Sequence, residues 1–158
     1  MKAHKILASL AVFFAGVAVS LAADSNMGAW MGTWKLNEAK SKIAAGATKN
    51  PTVAYTTEGD NLQVTVDGIT SEGKPVHHVW TGKIDGKDYP VTGDPSGDTR
   101  SYRKIGDSTL EFVGKKGGKV TVVGRVSHSA DGMTRTVTSR VTDAKGKKIK
   151  STAIYDKQ

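Results

Sequence analysis

The chain has 158 residues, a formal net charge of +8 and no cysteine. This length is typical of a single domain. The lack of cysteine excludes a scaffold held by disulfides and a metal site with thiolate ligands.

Residues 1–22 have the pattern of a secretory signal peptide. Lys2 and Lys5 precede an uncharged apolar segment, and Ser20 and Ala22 provide the small residues of a cleavage site. The alternative is a membrane anchor, because the apolar segment approaches the length of a spanning helix. No cysteine lies near the junction, which excludes a lipid-anchored lipoprotein. We expect cleavage, a mature domain at residues 23–158, and a bacterial protein that is periplasmic or secreted.

The first β-strand is expected to begin at Gly32, within the segment WMGTWKLN. Trp34 and Leu36 are two residues apart, so their side chains should point to the same face of the strand. We expect that face to be the interior, because a large aromatic residue at the start of the first strand can seal one end of a closed sheet. Gly32 and Trp34 are therefore candidate structural residues.

A short helix is predicted after the first strand, between Asn37 and Ala47. Asn37 can cap its start, alanine and lysine favour the helix, and Gly46 can end it. We expect one or two helical turns that cover an end of the sheet.

From Thr52 onward, runs of β-forming residues alternate with turn segments rich in glycine and aspartate. Asp-Gly and Gly-Gly between such runs are strong signals for hairpins. Turns this short can join only antiparallel neighbours. Eight turns are predicted: Glu58–Asn61, Ser71–Pro75, Asp85–Asp88, Gly93–Asp98, Gly106–Ser108, Lys115–Lys119, Ala130–Met133 and Ala144–Lys148.

Apolar and polar residues alternate along several of these runs, which indicates strands with one dry face and one wet face. Leu62, Val64 and Val66 share one face, and Met133, Val137 and Val141 share another. An open sheet of this size would expose unpaired edges, and closure removes them. The sequence therefore predicts an all-β fold: a single antiparallel meander β-barrel of 8–10 strands.

The two ends of the mature chain resemble the calycin superfamily, which includes lipocalins and fatty-acid-binding proteins. The segment GTWKLNEAKSKI is similar to their first strand and following helix, and STAIYDKQ to the last strand of the fatty-acid-binding proteins. The likeness is greatest to small secreted bacterial lipocalin-like proteins of unassigned function. It implies a barrel that binds a small apolar or amphipathic ligand.

The chain departs from this family at the last strand. Fatty-acid-binding proteins carry Arg-x-Tyr there to hold the ligand carboxylate, whereas this chain has Ala153, Ile154 and Tyr155. Arg135 shares the face of Val137 and could supply the missing inward cation. The alternative, which an arginine near a turn favours, is a side chain that reaches solvent.

Four residues are candidate ligand contacts: Trp80, Tyr102, Arg135 and Tyr155. Trp80 lies in the middle of a strand, where core packing and a place in a cavity wall are equally supported. Tyr102 shares a face with Arg100, and the pair could contact an anionic or hydroxylated ligand. A solvated strand explains the same pattern and is favoured.

A metal site is not expected, because the adjacent residues His77 and His78 should point to opposite faces of one strand. His78 is then interior and His77 exterior. No catalytic residue set, nucleophile motif or cofactor motif is present. The outward residues are mainly threonine, lysine, glutamine and serine, which argues against a membrane-spanning barrel.

Most lysines lie in turns beside glycines, without the interleaved aromatic residues of a nucleic-acid binder. We expect no nucleic-acid partner, and at most weak contact with anionic envelope surfaces. The sequence favours an exported, non-enzymatic binding protein. The alternative is a structural or surface-interaction protein whose barrel is filled by its own side chains. A cavity of about 300 Å³ or more would favour the first function.

Overall fold

The computed structural model describes residues 27–143 and 145–158. The predicted signal peptide at residues 1–22 lies outside these residues. The described chain forms ten strands: β1 Gly32–Leu36, β2 Lys49–Glu58, β3 Asn61–Ile69, β4 Pro75–Gly82, β5 Tyr89–Thr92, β6 Thr99–Gly106, β7 Thr109–Lys116, β8 Lys119–His128, β9 Thr134–Thr142 and β10 Lys148–Lys157.

The ten strands close into one antiparallel barrel in which each strand pairs with its neighbours in sequence. Closure is made by β1, which pairs with β2 on one side and β10 on the other; Trp34 lies opposite Val53 and Lys157. The prediction of an all-β meander barrel of 8–10 strands is confirmed. All eight predicted turns lie at the connections between strands.

The up-and-down order gives the barrel two distinct ends. We call the upper end the one that holds the β1–β2 connection (residues 37–48) and the β5–β6 connection (residues 93–98). The lower end holds residues 27–31 and the C-terminus. Met27–Ala29 forms a single 3-10 turn there, directly before β1.

The predicted helix between Asn37 and Ala47 is wrong beyond its first turn. Only Glu38–Lys40 is helical, as one 3-10 turn, and Asn37 caps it as expected by accepting a hydrogen bond from the Lys40 amide. Lys42 instead exchanges two backbone hydrogen bonds with Thr152 of β10. A helix this short has little stability of its own, so pairing with the barrel wall determines the conformation.

Alternate residues of each strand fill the interior, as the period of two requires. Trp34 and Trp80 are fully buried, which confirms the inward position expected for Trp34. Gly32 adopts a φ of 111°, a conformation that suits glycine. Among the described residues, no helix has the length and hydrophobicity needed to cross a membrane.

Candidate ligand cavity

The barrel encloses a cavity of about 220 Å³. Its wall combines aliphatic side chains, most of them inward valines of β2, β3, β4, β8 and β9, with a similar number of polar side chains. The small side chains of Ser151 and Ala153 leave space on β10. The volume does not reach the roughly 300 Å³ that was expected to favour a binding function, and the interior is not completely filled either. It exceeds the roughly 150 Å³ that suffices for benzene, so the cavity suits a small molecule.

The cavity reaches the upper end of the barrel, where two connections contribute to its lining. Gly46, Ala47 and Thr48 belong to the β1–β2 connection, and Asp94–Ser96 to the β5–β6 connection. The lower end is occupied by Trp34 and by Trp30, which packs edge-on against His128 with ring centroids 4.7 Å apart. Access to the interior is therefore from the upper end.

Arg135 lies inside the barrel, near its lower end, and is 1% exposed. Its guanidinium carbon lies 4.2 Å from the ring centroid of Trp34 and 3.9 Å from that of Tyr55. Its Nη2 donates a hydrogen bond to the Trp30 carbonyl at 3.2 Å, whereas its Nε has no partner among the described residues. The expectation that Arg135 reaches solvent is wrong, because the strand's alternation continues to this position.

None of the ion pairs among residues 27–143 and 145–158 includes Arg135. Burial lowers the pKa of Arg135, and the nearby Tyr55, Tyr102 and Tyr155 act in the opposite direction. Because arginine starts from so high a pKa, it stays charged. Arg135 also lines the cavity, which gives the lower part of the interior an unbalanced positive charge.

Two tyrosines beside Arg135 are held in their neutral form by the interior. Burial, followed by the neighbouring Tyr102, raises the pKa of Tyr55 far above its ordinary value. Burial raises the pKa of Tyr155 to about 12, against a smaller opposing effect of Arg135. Their hydroxyl groups are therefore neutral hydrogen-bonding groups along the cavity wall, and that of Tyr55 already shares a hydrogen bond with Tyr102.

A second polar cluster lies toward the upper end. The Arg100 Nη2 donates to Asp94 Oδ2 at 2.7 Å, in an ion pair whose side chains are 11% and 5% exposed. Asp94 Oδ1 in turn accepts hydrogen bonds from the amide and hydroxyl of Ser96. The β5–β6 connection, which the sequence identified only as a turn, thus folds inward and neutralises Arg100.

His78 completes this cluster, at 7% exposure. Its Nε2 lies 3.5 Å from Arg100 Nη1, and its Nδ1 is buried without a partner in the described chain. Burial and the Arg100 charge lower the pKa of His78 to about 4. The ring is therefore neutral, and because arginine can only donate, the ring proton belongs on Nδ1. His77 is exposed and contacts Asp67, so both predicted histidine positions are confirmed.

Three of the four predicted contact residues line the cavity: Tyr102, Arg135 and Tyr155. Trp80 does not. It packs against Tyr102 and Tyr89 and donates from Nε1 to the Arg100 carbonyl at 2.8 Å, so its position is that of a core residue. Arg100 and Tyr102 are both buried, and the interpretation of their segment as a solvated strand is wrong for this pair.

Sequence reasoning missed Asn50, Tyr55 and Asp94 as residues of the cavity. The pattern of alternation could have found Tyr55, which shares the inward face of Val53. It could not have found Asp94, because a turn residue has no strand alternation to follow. Within the described part of the chain, no group of three or more histidine or acidic side chains is placed to hold a metal ion.

Comparisons with protein-family models and with curated proteins found no match. Comparison with solved structures found a redesigned β-barrel, mFAP1, bound to DFHBI, at 16% sequence identity and a TM-score of 0.45, covering 84% of this chain and 98% of that chain. EF1p2_mFAP2b bound to DFHBI is 10% identical with a TM-score of 0.48, covering 85% of this chain and 98% of that chain.

Proposed function

We propose that this protein is an exported, calycin-like barrel that binds one small apolar or amphipathic molecule in its interior, without catalysis. The observation that carries the proposal is the cavity of about 220 Å³, which combines aliphatic side chains with a buried, unbalanced charge at Arg135. A barrel that served only as a scaffold would gain stability by filling this space.

The wall and the charge have separate roles in this proposal. Burial of ligand hydrocarbon against the valines supplies affinity, at roughly 25 cal/mol per Å² of apolar surface. Arg135 then selects an anionic or electron-rich group, with the neutral hydroxyls of Tyr55 and Tyr155 as further hydrogen-bonding groups. The arginine that fatty-acid-binding proteins carry two residues before the tyrosine is Ala153 here. Arg135 of β9 takes over its role in this proposal, since it lies directly opposite Tyr155.

Native mass spectrometry of the purified mature protein tests this function by detecting a co-purified small molecule. Displacement of a fluorescent fatty probe gives a second measurement. Ala153→Leu places a larger side chain in the cavity and should weaken probe binding, whereas Thr152→Leu on the adjacent outward position should not. No co-purified molecule, together with no saturable probe binding to the wild-type protein, would contradict the proposal.

A second candidate function rests on the outer surface. Arg125, Arg140 and Lys150 are exposed and line one groove across β7–β10. Glu111 lies opposite Arg125 in this groove, whereas Arg140 lies directly opposite Lys150. Like charges placed side by side repel one another, so an anionic envelope surface would relieve the repulsion. Binding to vesicles with anionic lipid but not to zwitterionic vesicles, lost in a triple glutamine variant of these residues, would support this function.

A further inference from the structure

The upper end of the cavity carries polar groups that the folded chain does not satisfy. His78 Nδ1 and Arg100 Nε are buried donors, and Asn50 Oδ1 is a buried acceptor; none of the three has a partner in the described chain. All three residues line the cavity. Buried polar atoms are nearly always hydrogen-bonded in folded proteins, so three such atoms around one end of the cavity indicate a bound polar group.

Neighbouring residues determine the surroundings of His78 and Asn50. Asp94 fixes the Arg100 guanidinium, and Arg100 occupies the Nε2 side of the His78 ring, which leaves Nδ1–H as its free donor. On the neighbouring strand β3, Gly68 makes room for the Asn50 amide, since a Cβ at Gly68 would lie 2.7 Å from Asn50 Oδ1. The His78 ring is thus oriented before any ligand arrives, and the Asn50 amide has space beside it.

The charge at this end differs from that at Arg135. Asp94 and Arg100 form a neutral pair, and His78 is uncharged. A ligand carboxylate placed here would find two donors, His78 Nδ1 and Arg100 Nε. It would also meet the Asn50 oxygen and the Asp94 carboxylate, which only accept hydrogen bonds and repel an anion. An uncharged group with both a carbonyl oxygen and an N–H satisfies His78 and avoids this repulsion.

We propose that the upper end of the cavity is a subsite for an uncharged carboxamide group, whose carbonyl oxygen accepts from His78 Nδ1 and whose N–H faces Asn50. This inference rests on the proposed function, and it adds the chemical class of one end of the ligand. The ligand is accordingly an apolar body that carries a carboxamide toward the entrance.

Three naphthalene probes of nearly equal size test the subsite: naphthalene-2-carboxamide, 2-methylnaphthalene and 2-naphthoate. Their affinities for the full mature protein are measured by quenching of tryptophan fluorescence. The carboxamide should bind on the order of tenfold more tightly than 2-methylnaphthalene, as expected for one buried hydrogen bond. His78→Leu should remove this advantage, whereas His77→Leu, on the adjacent outward position, should retain it.

Nitrogen-15 NMR of the wild-type protein supplies a measurement that needs no variant. The carboxamide should shift the His78 Nδ1 resonance and slow the exchange of its proton, and 2-methylnaphthalene should do neither. Equal binding of the carboxamide and 2-methylnaphthalene, or an unchanged His78 resonance in the saturated complex, would overturn the subsite and leave the proposed function intact. If none of the probes binds, the subsite is overturned, whereas the proposed function is decided separately by native mass spectrometry and the fluorescent fatty probe.

Discussion

The guanidinium carbon of Arg135 lies 3.9 Å from the ring centroid of Tyr55, inside the barrel, and forms no ion pair with a carboxylate of the described residues. With Trp34 on another side at 4.2 Å, two aromatic rings enclose one cation. Such contacts contribute about 2 kcal/mol when desolvated. They offset only part of the several kcal/mol that burial of an ion costs, so Arg135 is poorly explained by stability alone.

We therefore expect Arg135→Met to leave the free energy of unfolding within about 1 kcal/mol of wild type, or to raise it, because methionine fills the space without a buried charge. The Trp30 carbonyl loses its hydrogen bond from Arg135 in the variant but still accepts one from Trp34 Nε1 at 3.2 Å. Affinity for 2-naphthoate should fall by on the order of tenfold. Urea unfolding and fluorescence titration measure the two effects.

Arg140→Met, on the outer face of the same strand, is the matched control and should leave 2-naphthoate binding unchanged. A loss of about 3 kcal/mol or more in Arg135→Met, with no change in naphthoate affinity, would identify Arg135 as a structural residue and remove it from the proposed site.

Stability should depend on pH through His78, whose pKa is lowered from its ordinary value of 6.5 to about 4 by burial and by Arg100. Between these two values the unfolded chain protonates the ring and the folded chain does not, so the unfolded state binds more protons. The free energy of unfolding should therefore have its full value above pH 6.5 and fall as the pH is lowered toward 4, by about 2 to 3 kcal/mol.

Urea unfolding of the wild type and of His78→Leu at several pH values between 4 and 8 measures this contribution. Other acidic groups begin to titrate near pH 4, so the difference between the two proteins is the relevant quantity. The variant should lose much less stability than the wild type between pH 6.5 and 4. If the free energy of unfolding falls with pH by the same amount in the two proteins, the fold does not hold His78 in its neutral form.

Trp80 connects strands that have little pairing of their own. β5 has four residues, and its register with β6 includes only Tyr89 with Arg100 and Pro90 with Thr99. The Trp80 indole reaches from β4 to the Arg100 carbonyl at 2.8 Å. Trp80→Phe removes this bond and leaves a buried acceptor, at a cost of about 2 kcal/mol.

Chemical denaturation measures that cost, and hydrogen exchange should become faster in β5 and β6. Ligand affinity should change by less than about threefold, because Trp80 does not line the cavity. Tyr89→Phe serves as the control, since it removes only an exposed hydroxyl bonded to Asp85 and should cost less than about 1 kcal/mol. A large loss of ligand affinity in Trp80→Phe would instead show that Trp80 contributes to ligand binding.

The fold was largely predictable from the sequence because two local signals determine it. Glycine and aspartate at eight turns set the strand boundaries, and alternation with a period of two set the inward faces. Together they placed Trp34, His78 and Tyr155 on the inside. The same alternation extends to Arg135, where the general tendency of arginine to reach solvent led to the wrong expectation.

The cavity was less predictable, because its position along the barrel depends on the stagger between strands rather than on alternation. Trp80 and Tyr102 share the inward side of the barrel, yet only Tyr102 lines the cavity, since Trp80 lies nearer the lower end on β4. Asp94 depends on how a connection folds over the upper end, which no local pattern encodes.

The size of the cavity predicts a limit on ligand length. In a series of linear alkanoates, each further buried methylene should contribute about 0.8 kcal/mol, or roughly a fourfold gain in affinity. The gain should stop once the chain fills about 220 Å³ and further carbons extend through the upper end into solvent. The alkanoate series runs from six to sixteen carbons, in steps of about two carbons. Displacement of a fluorescent probe by each member measures the chain length at which affinity stops rising.

Ala153→Leu should move that chain length to a smaller value, and Thr152→Leu should not. A constant gain per methylene up to the longest alkanoate would mean that the interior opens well beyond the observed cavity, and the ligand would then be a long-chain lipid.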